Sequence, residues 1–275
     1  TGLSAPHNTV QVTIRRDATV NGPINLFFAR IFGQDSANLS ATAAATFEDN
    51  VIGFAAPANG NNVMLLPIAV DVDSWQAFLT GTLEHGDDYT YDPDLSPETV
   101  ADGADGISEL NIFPGGGGNQ GGAGNGGGSL QLAPGNWGTV KIGVTNNSTA
   151  TLGAQIRYGI TPEQMAMYPN SELKLDSSGE LELEGNPGMS NGIKDDLAAI
   201  IGQTRTIPLY SAVNGNGNNA TYTIVGFAGV RIMAVKLTGN PGGRYVLAQP
   251  AMAVDPTTVT GSSGTTYNVY RPLRL

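Results

Sequence analysis

Apolar and polar positions alternate with a period of two along most of this chain, which is the pattern of half-buried strands. Residues 9–16 set Val10, Val12 and Ile14 against Gln11, Thr13 and Arg15. Residues 38–47 repeat the alternation with smaller side chains, placing Leu39, Ala41, Ala43, Ala45 and Phe47 on one side. Between them, Pro23 opens and Gly33 closes a run of large apolar residues, so a short helix is predicted over 23–32. Together these give an N-terminal strand–helix–strand module. Residues 172–184 alternate strictly about Ser177-Ser178-Gly179 and predict a hairpin with one wet face that carries Glu180, Glu182 and Glu184. Further strands are predicted at 137–144, 205–210 and 244–250, and residues 265–275 have strand propensity without a compact partner in sequence.

The longest apolar run, residues 220–237, is rich in β-branched and aromatic residues and is bounded by Gly/Asn and Gly/Pro clusters. It predicts one long strand, or two joined at a bend at Gly226 or Gly229, because glycine inside a strand pattern marks a bulge. Val230, Ile232, Ala234 and Leu237 are expected on one side, with Arg231 and Lys236 on the other. Its length suits a membrane helix, but two charges and the β-rich composition predict a buried strand. Helices are predicted where caps and periodicity agree. Asp73 with Gln76 and Gly81 frames one bearing Trp75, Phe78 and Leu79 on its apolar face. Thr161-Pro162 with Gln164 forms a capping box. Ser190 caps a segment running to Ile201, with Ile193, Leu197, Ile200 and Ile201 as its stripe and Gly202 as its stop.

Composition extends this to the whole chain. With 38 Gly, 16 Pro and only 13% charged residues among 275, many short strands joined by turns are favoured over helices. The expected class is mainly β, β-sandwich-like, with a few short helices. The expected division is residues 1–48 for the N-terminal module and 49–275 for a β-rich body, with an acidic insertion at 84–110 and a Gly-rich loop at 115–128. There is no Cys, which excludes disulfides and thiolate metal sites. A chain opening Thr1-Gly2-Leu3 without Met is expected to be a processed or truncated product whose membrane anchor, if it has one, lies upstream.

Charge is unevenly placed. Residues 31–140 hold no Lys or Arg but 14 Asp/Glu, while the rest of the chain carries 13 basic and 10 acidic groups, summing to the net −11. Nucleic acid is an unsuitable partner for such a surface, whereas divalent cations or the basic surface of a neighbouring copy suit it. Within 84–109, Asp87, Asp88, Asp92, Asp94, Asp102, Asp105 and Glu109 are candidate ligands for Ca²⁺. A hard cation needs six to eight oxygens on a tightly turning loop, and Asp102-Gly103-Ala104-Asp105-Gly106 followed by Glu109 has that character without EF-hand spacing. The other reading is a solvated acidic loop. The glycines of 115–128 lack the Gly-Lys-Ser/Thr ending of a phosphate loop and read as a flexible or interface loop. Only His7 and His85 are available for imidazole chemistry, with no nucleophile elbow or zinc spacing beside them, so no enzyme is expected.

Three stretches carry a resemblance: VQVTIRRD at 10–17, NGPINLFFARIFG at 21–33 and LSATA at 39–43. Together they resemble the strand–helix–strand module of TadE/TadG-like proteins associated with tight-adherence, Flp-type pilus assembly. Residues 190–197, 201–208 and 219–227 are similar to TadG-related proteins of planctomycete-type bacteria. The resemblance implies an exported, extracellular or cell-surface structural protein that works by being built into a homo-oligomer or filament, or alongside other pilus components. The terminal strands, residues 10–16 or 267–275, are expected to add to a sheet edge of a neighbouring copy, with Arg15, Arg16, Arg271 and Arg274 facing its acidic region. The alternatives are a Ca²⁺-dependent carbohydrate-binding or adhesive β-sandwich module, which needs coplanar exposed aromatics, and a hydrolase, which needs His85 beside a carboxylate and a hydroxyl.

Overall fold

The computed structural model of the protein describes residues 9–82, 86–94, 99–113, 137–186, 188–215, 220–240, 243–262 and 265–274. His7, His85, Glu84 and the Gly-rich loop at 115–128 lie outside them. The chain is mainly β with a few short helices. It divides into two compact units, Thr1–Glu48 with Pro272–Leu275, and Asp49–Arg271.

The first unit contains β1 (Thr9–Arg16), β2 (Ile24–Asn25), β3 (Ser36–Ala37) and β4 (Leu39–Glu48). β1 and β4 pair antiparallel in unbroken register from Thr9↔Thr46 to Arg16↔Leu39, and β2 pairs with β3. The helix expected over 23–32 is not formed. Ile24 and Asn25 join a strand pair, and only Ala29–Phe32 coils, as one 3₁₀ turn stopped by Gly33 at φ 78°. Leu26, Phe27, Phe28, Ile31 and Phe32 would ring such a helix with apolar side chains, leaving no polar face to turn to water.

The second unit carries β5 (Val51–Ala55), β6 (Ile68–Asp71), α1 (Val72–Leu79), β7 (Tyr89–Asp92), β8 (Thr99–Asp102), β9 (Leu110–Asn111), β10 (Trp137–Val140), α2 (Thr149–Tyr158) and α3 (Pro162–Met165). They are followed by β11 (Glu172–Lys174), β12 (Leu181–Asn186), α4 (Lys194–Ala198), β13 (Thr204–Asn214), β14 (Ala220–Lys236), β15 (Tyr245–Pro250), β16 (Ala253–Val254), β17 (Thr258–Thr260), β18 (Thr265–Tyr267) and β19 (Val269–Arg274), whose last residues pass into the first unit.

β14 organises this unit, and its length explains how. One edge pairs with β13 over most of its span. The other edge meets β12 at residues 220–224, β18 at 226–228 and β15 at 230–236. Because β12 also pairs with β10, β10 with β6 and β6 with β13, the strands close a ring and few edges are left open. Gly226 and Gly229 are required by close approach: a Cβ there would lie 2.0 Å from the Thr265 carbonyl and 2.3 Å from that of Ala251.

Two bulges decide which face each residue meets. The pairing with β13 skips Val225, and the pairing with β15 skips Met233. A one-residue insertion flips the alternation. Tyr222, Ile224 and Phe227 therefore face the core built with Phe54 and Leu173 of the three-stranded sheet β11-β5-β17. Ala228, Val230 and Ile232 face the opposite core, with Trp75, Leu152 and Leu197 of the helices. Past the second bulge Leu237 stays in that core, but Ala234 turns to a small cluster with Leu247. The single side expected for Val230, Ile232, Ala234 and Leu237 is thus broken at Met233.

Other local expectations differ in instructive ways. Strands β11 and β12 do not pair with each other. The Ser177-Ser178-Gly179 turn forms on the Asp176 carboxylate, but β11 joins β5 while β12 joins β10 and β14, since each finds a longer-range partner. Helix α1 is capped by Asp71, which accepts the Ser74 N–H at 2.8 Å, rather than by Asp73. The Thr161 capping box forms fully. The C-terminal stretch has partners after all: β18 lies parallel to β14, and Val269 and Tyr270 pair with β16.

Candidate functional site

The N-terminal hairpin unit presents a chemically distinct surface. Strand alternation puts Val10, Val12 and Ile14 on one face of β1, opposite Ala45, Ala43 and Ala41 of β4. The other face carries Thr9 and Thr13, hydroxyl-bonded to Thr46 and Thr42 at 2.8 and 3.1 Å. No residue from 9 to 48 is buried. Val10, Val12 and Ile14 remain 62, 54 and 68% exposed, and at the tip Phe27, Phe28, Ile31 and Phe32 are 78–86% exposed. Soluble monomers rarely leave so many large apolar groups together in water. β1 is also the terminal strand of its sheet among the described residues, and no other described strand pairs with its outer edge.

Charge on this unit is local and balanced. Residues 9–48 carry Arg15, Arg16 and Arg30 against Asp17, Asp35 and Glu48, whereas residues 49–271 hold 9 basic and 21 acidic groups, a net −12. The Asp17 carboxylate organises the turn after β1. It accepts from the Thr19 hydroxyl and from the N–H groups of Thr19 and Val20, and these bonds, chiefly the hydroxyl's, hold it below the usual carboxylate range. Arg15 pairs with it at 3.0 Å, and Arg16 donates to the carbonyls of Asn21 and Gly22. Two of the four expected interface cations are therefore engaged in the hairpin's own turn. Arg271 is half-buried, and the Arg274 side chain lies outside the described residues.

The acidic segment folds into a knot around one amide. β7 and β8 form a hairpin, and the loop after it returns so that Asp87 accepts the N–H groups of Asp105 and Gly106 at 2.9 and 2.8 Å. Glu109, fully buried, accepts from Asp88 and Tyr89 N–H at 2.9 and 3.2 Å. The Nε2 of buried Gln249, from β15, lies 2.9–3.3 Å from five oxygens: the carbonyls of Tyr89 and Ile107, both oxygens of Asp105 and one of Glu109. Desolvation pushes the Glu109 carboxyl up, with the Asp87 charge adding to it, while the N–H and amide donors pull it down.

Of the seven acidic residues expected to bind Ca²⁺, the structure brings Asp87, Asp105 and Glu109 together through backbone amides. Asp88 contributes its backbone N–H and carbonyl. Asp92 accepts the N–H of Asp94 at 2.9 Å, within its own turn, and Asp102 is exposed at the end of β8. Among the described residues no group of three or more His, Cys, Asp or Glu side chains has a geometry that could hold a metal ion. Gln249 is the central residue that sequence reading missed, because nothing near it in the chain is acidic. The outward carboxylates of β12 are employed singly: Glu184 pairs with Lys141 at 2.9 Å and Glu182 accepts from Thr223 at 2.7 Å.

No helix among the described residues is long and apolar enough to cross a membrane. Phe27 and Phe28 meet edge to face at 89° and 5.1 Å, not as the coplanar platform a sugar-stacking module uses. Residues 2–45 match a family model described as "Putative Tad-like Flp pilus-assembly". No curated protein and no solved structure matches the chain.

Proposed function

We propose that this protein is an exported structural component of a tight-adherence-type pilus-related assembly, placed at the cell surface, and that it joins further copies of itself through the N-terminal hairpin unit. One observation carries the reading: the stretch that matches the pilus-assembly family is also the stretch with no buried residue and a continuous apolar face. A second copy suits that face better than a charged partner does. The hairpin is electrically balanced while the body carries −12, so contacts made through the hairpin avoid the repulsion between two acidic bodies. As the terminal strand of its sheet, β1 suits strand addition, and Val10, Val12 and Ile14 offer the apolar contacts that such pairing uses. The likeness of residues 190–197, 201–208 and 219–227 to TadG-related proteins of planctomycete-type bacteria belongs to the same proposal.

Sedimentation of the full chain over a concentration series tests it. The unaltered protein self-associates, and Val12→Asp with Ile14→Asp gives a folded monomer with the same melting behaviour. A protein that stays monomeric at its solubility limit, or a double variant that assembles as before, sinks the proposal.

A further inference from the structure

The loop that joins β1 to β4 closes the hairpin in a tip whose chemistry differs from that of its strands. Across residues 18–34 the only charge is Arg30. Phe27, Phe28, Ile31 and Phe32 are barer than Val10, Val12 or Ile14, and they surround the 3₁₀ turn Ala29–Phe32 without sharing one face. With three residues per turn, Ile31 falls above Phe28, while Phe32 lies about 120° further round. The rings of Phe27 and Phe28 stand at 89° to each other. A folded partner lays its surface against one side of such a tip. A fluid apolar medium covers every side at once, which is what an all-round apolar turn calls for.

The main chain of the tip suits the same medium. The N–H groups of Leu26, Gly33 and Gln34 donate to the carbonyls of Asp35, Arg30 and Ala29 at 3.0, 3.0 and 3.1 Å, and Ile24 and Asn25 pair with Ala37 and Ser36. Backbone enters lipid only where its polar groups are satisfied by the protein itself. Strand addition has the opposite requirement, an open edge, so the tip and the outer edge of β1 suit different partners. Arg30 supplies the polar end. Its side chain is 62% exposed and meets Asp35 at 3.4 Å, an exposed contact of little strength. A guanidinium flanked in sequence by Phe28 and Phe32 can instead reach a lipid phosphate while its stem stays among apolar groups. We propose that this tip inserts into the interface of a phospholipid bilayer, with Phe27, Phe28, Ile31 and Phe32 below the headgroups and Arg30 on a phosphate. The contact is made by a loop lying in the interface, distinct from a spanning segment and from self-association through Val10, Val12 and Ile14.

Co-sedimentation of the full chain with phosphatidylcholine vesicles tests this. The protein binds, and binding persists at about 0.5 M salt, where charge attraction is screened within a few ångström. Phe28→Ser with Phe32→Ser keeps the melting behaviour of the unaltered protein and lowers vesicle affinity at least about tenfold. Val12→Asp with Ile14→Asp, aimed at self-association, still binds vesicles. If the serine variant misfolds, Phe32→Trp supplies the reading: the introduced indole shifts to the blue on vesicles and is quenched by lipids brominated along the acyl chain, beyond any change in the unaltered protein. Absent binding, binding lost in salt, full affinity in a folded serine variant, loss of binding in the aspartate variant, or an indole untouched by brominated lipid each overturns the proposal.

Discussion

The hairpin unit and the β14 body are both made of alternating strands, yet they treat their apolar residues in opposite ways. In the body, Tyr222, Ile224, Phe227, Val230 and Ile232 are all fully buried, because a sheet or a helix covers each face of β14. In the hairpin, Val10, Val12 and Ile14 alternate just as regularly and remain in water, because nothing in residues 9–48 is available to cover them. Periodicity marks a face that will be buried. It does not say whether the covering layer belongs to the same chain.

Truncating large side chains tests that contrast most strongly. Phe227→Ala, which removes the ring packed edge to face at 5.1 Å on Phe54, should cost about 3–5 kcal/mol in denaturant unfolding. Phe32→Ala in the hairpin should change monomer stability by less than about 0.5 kcal/mol. Equal losses at the two sites would erase the distinction.

The next effect belongs to the acidic knot. Gln249→Leu strands the oxygens gathered around Nε2 and should cost about 1–3 kcal/mol. If the amides alone hold the loop, EDTA leaves the melting temperature unchanged. A fall in melting temperature on chelation would instead assign Asp105, Glu109 and the carbonyls of Tyr89 and Ile107 to Ca²⁺.

A smaller, pH-dependent signal comes from Glu109. Its folded pKa is raised by desolvation above the ordinary glutamate value. The native state therefore holds this proton more tightly than the unfolded chain does, so the contribution is complete below about pH 4.5 and is lost as pH rises through the folded value. Unfolding curves from pH 4 to 8 for the protein and for Glu109→Gln should differ by that falling component. Parallel curves would mean the carboxyl is not desolvated.

A modest effect is expected at the α3 cap, where Thr161→Ala removes a complete capping box and should cost about 1 kcal/mol. Thr13→Ala in the hairpin, which loses only an exposed hydroxyl pair, should cost less.

Features fixed by neighbours in sequence were legible beforehand: the Thr161 cap, Gly33 as a stop, the strand spans of β1 and β14, and the Asp176 turn. Each depends on backbone and side-chain groups within a few residues, so composition and spacing determine it. Features set by distant strands were not. Whether β11 meets β12 or β5, which face Ala234 turns to after Met233, and that Gln249 reaches across to Glu109 depend on pairings between segments far apart in the chain. Those pairings are chosen by burial of the whole sheet, since a strand's hydrogen bonds are satisfied equally well by any edge and only packing tells one edge from another. The sequence alone determined where this protein would be extended and where it would be charged. Tertiary structure decided which apolar face is covered, and in the hairpin it leaves one bare because its cover is not among those residues.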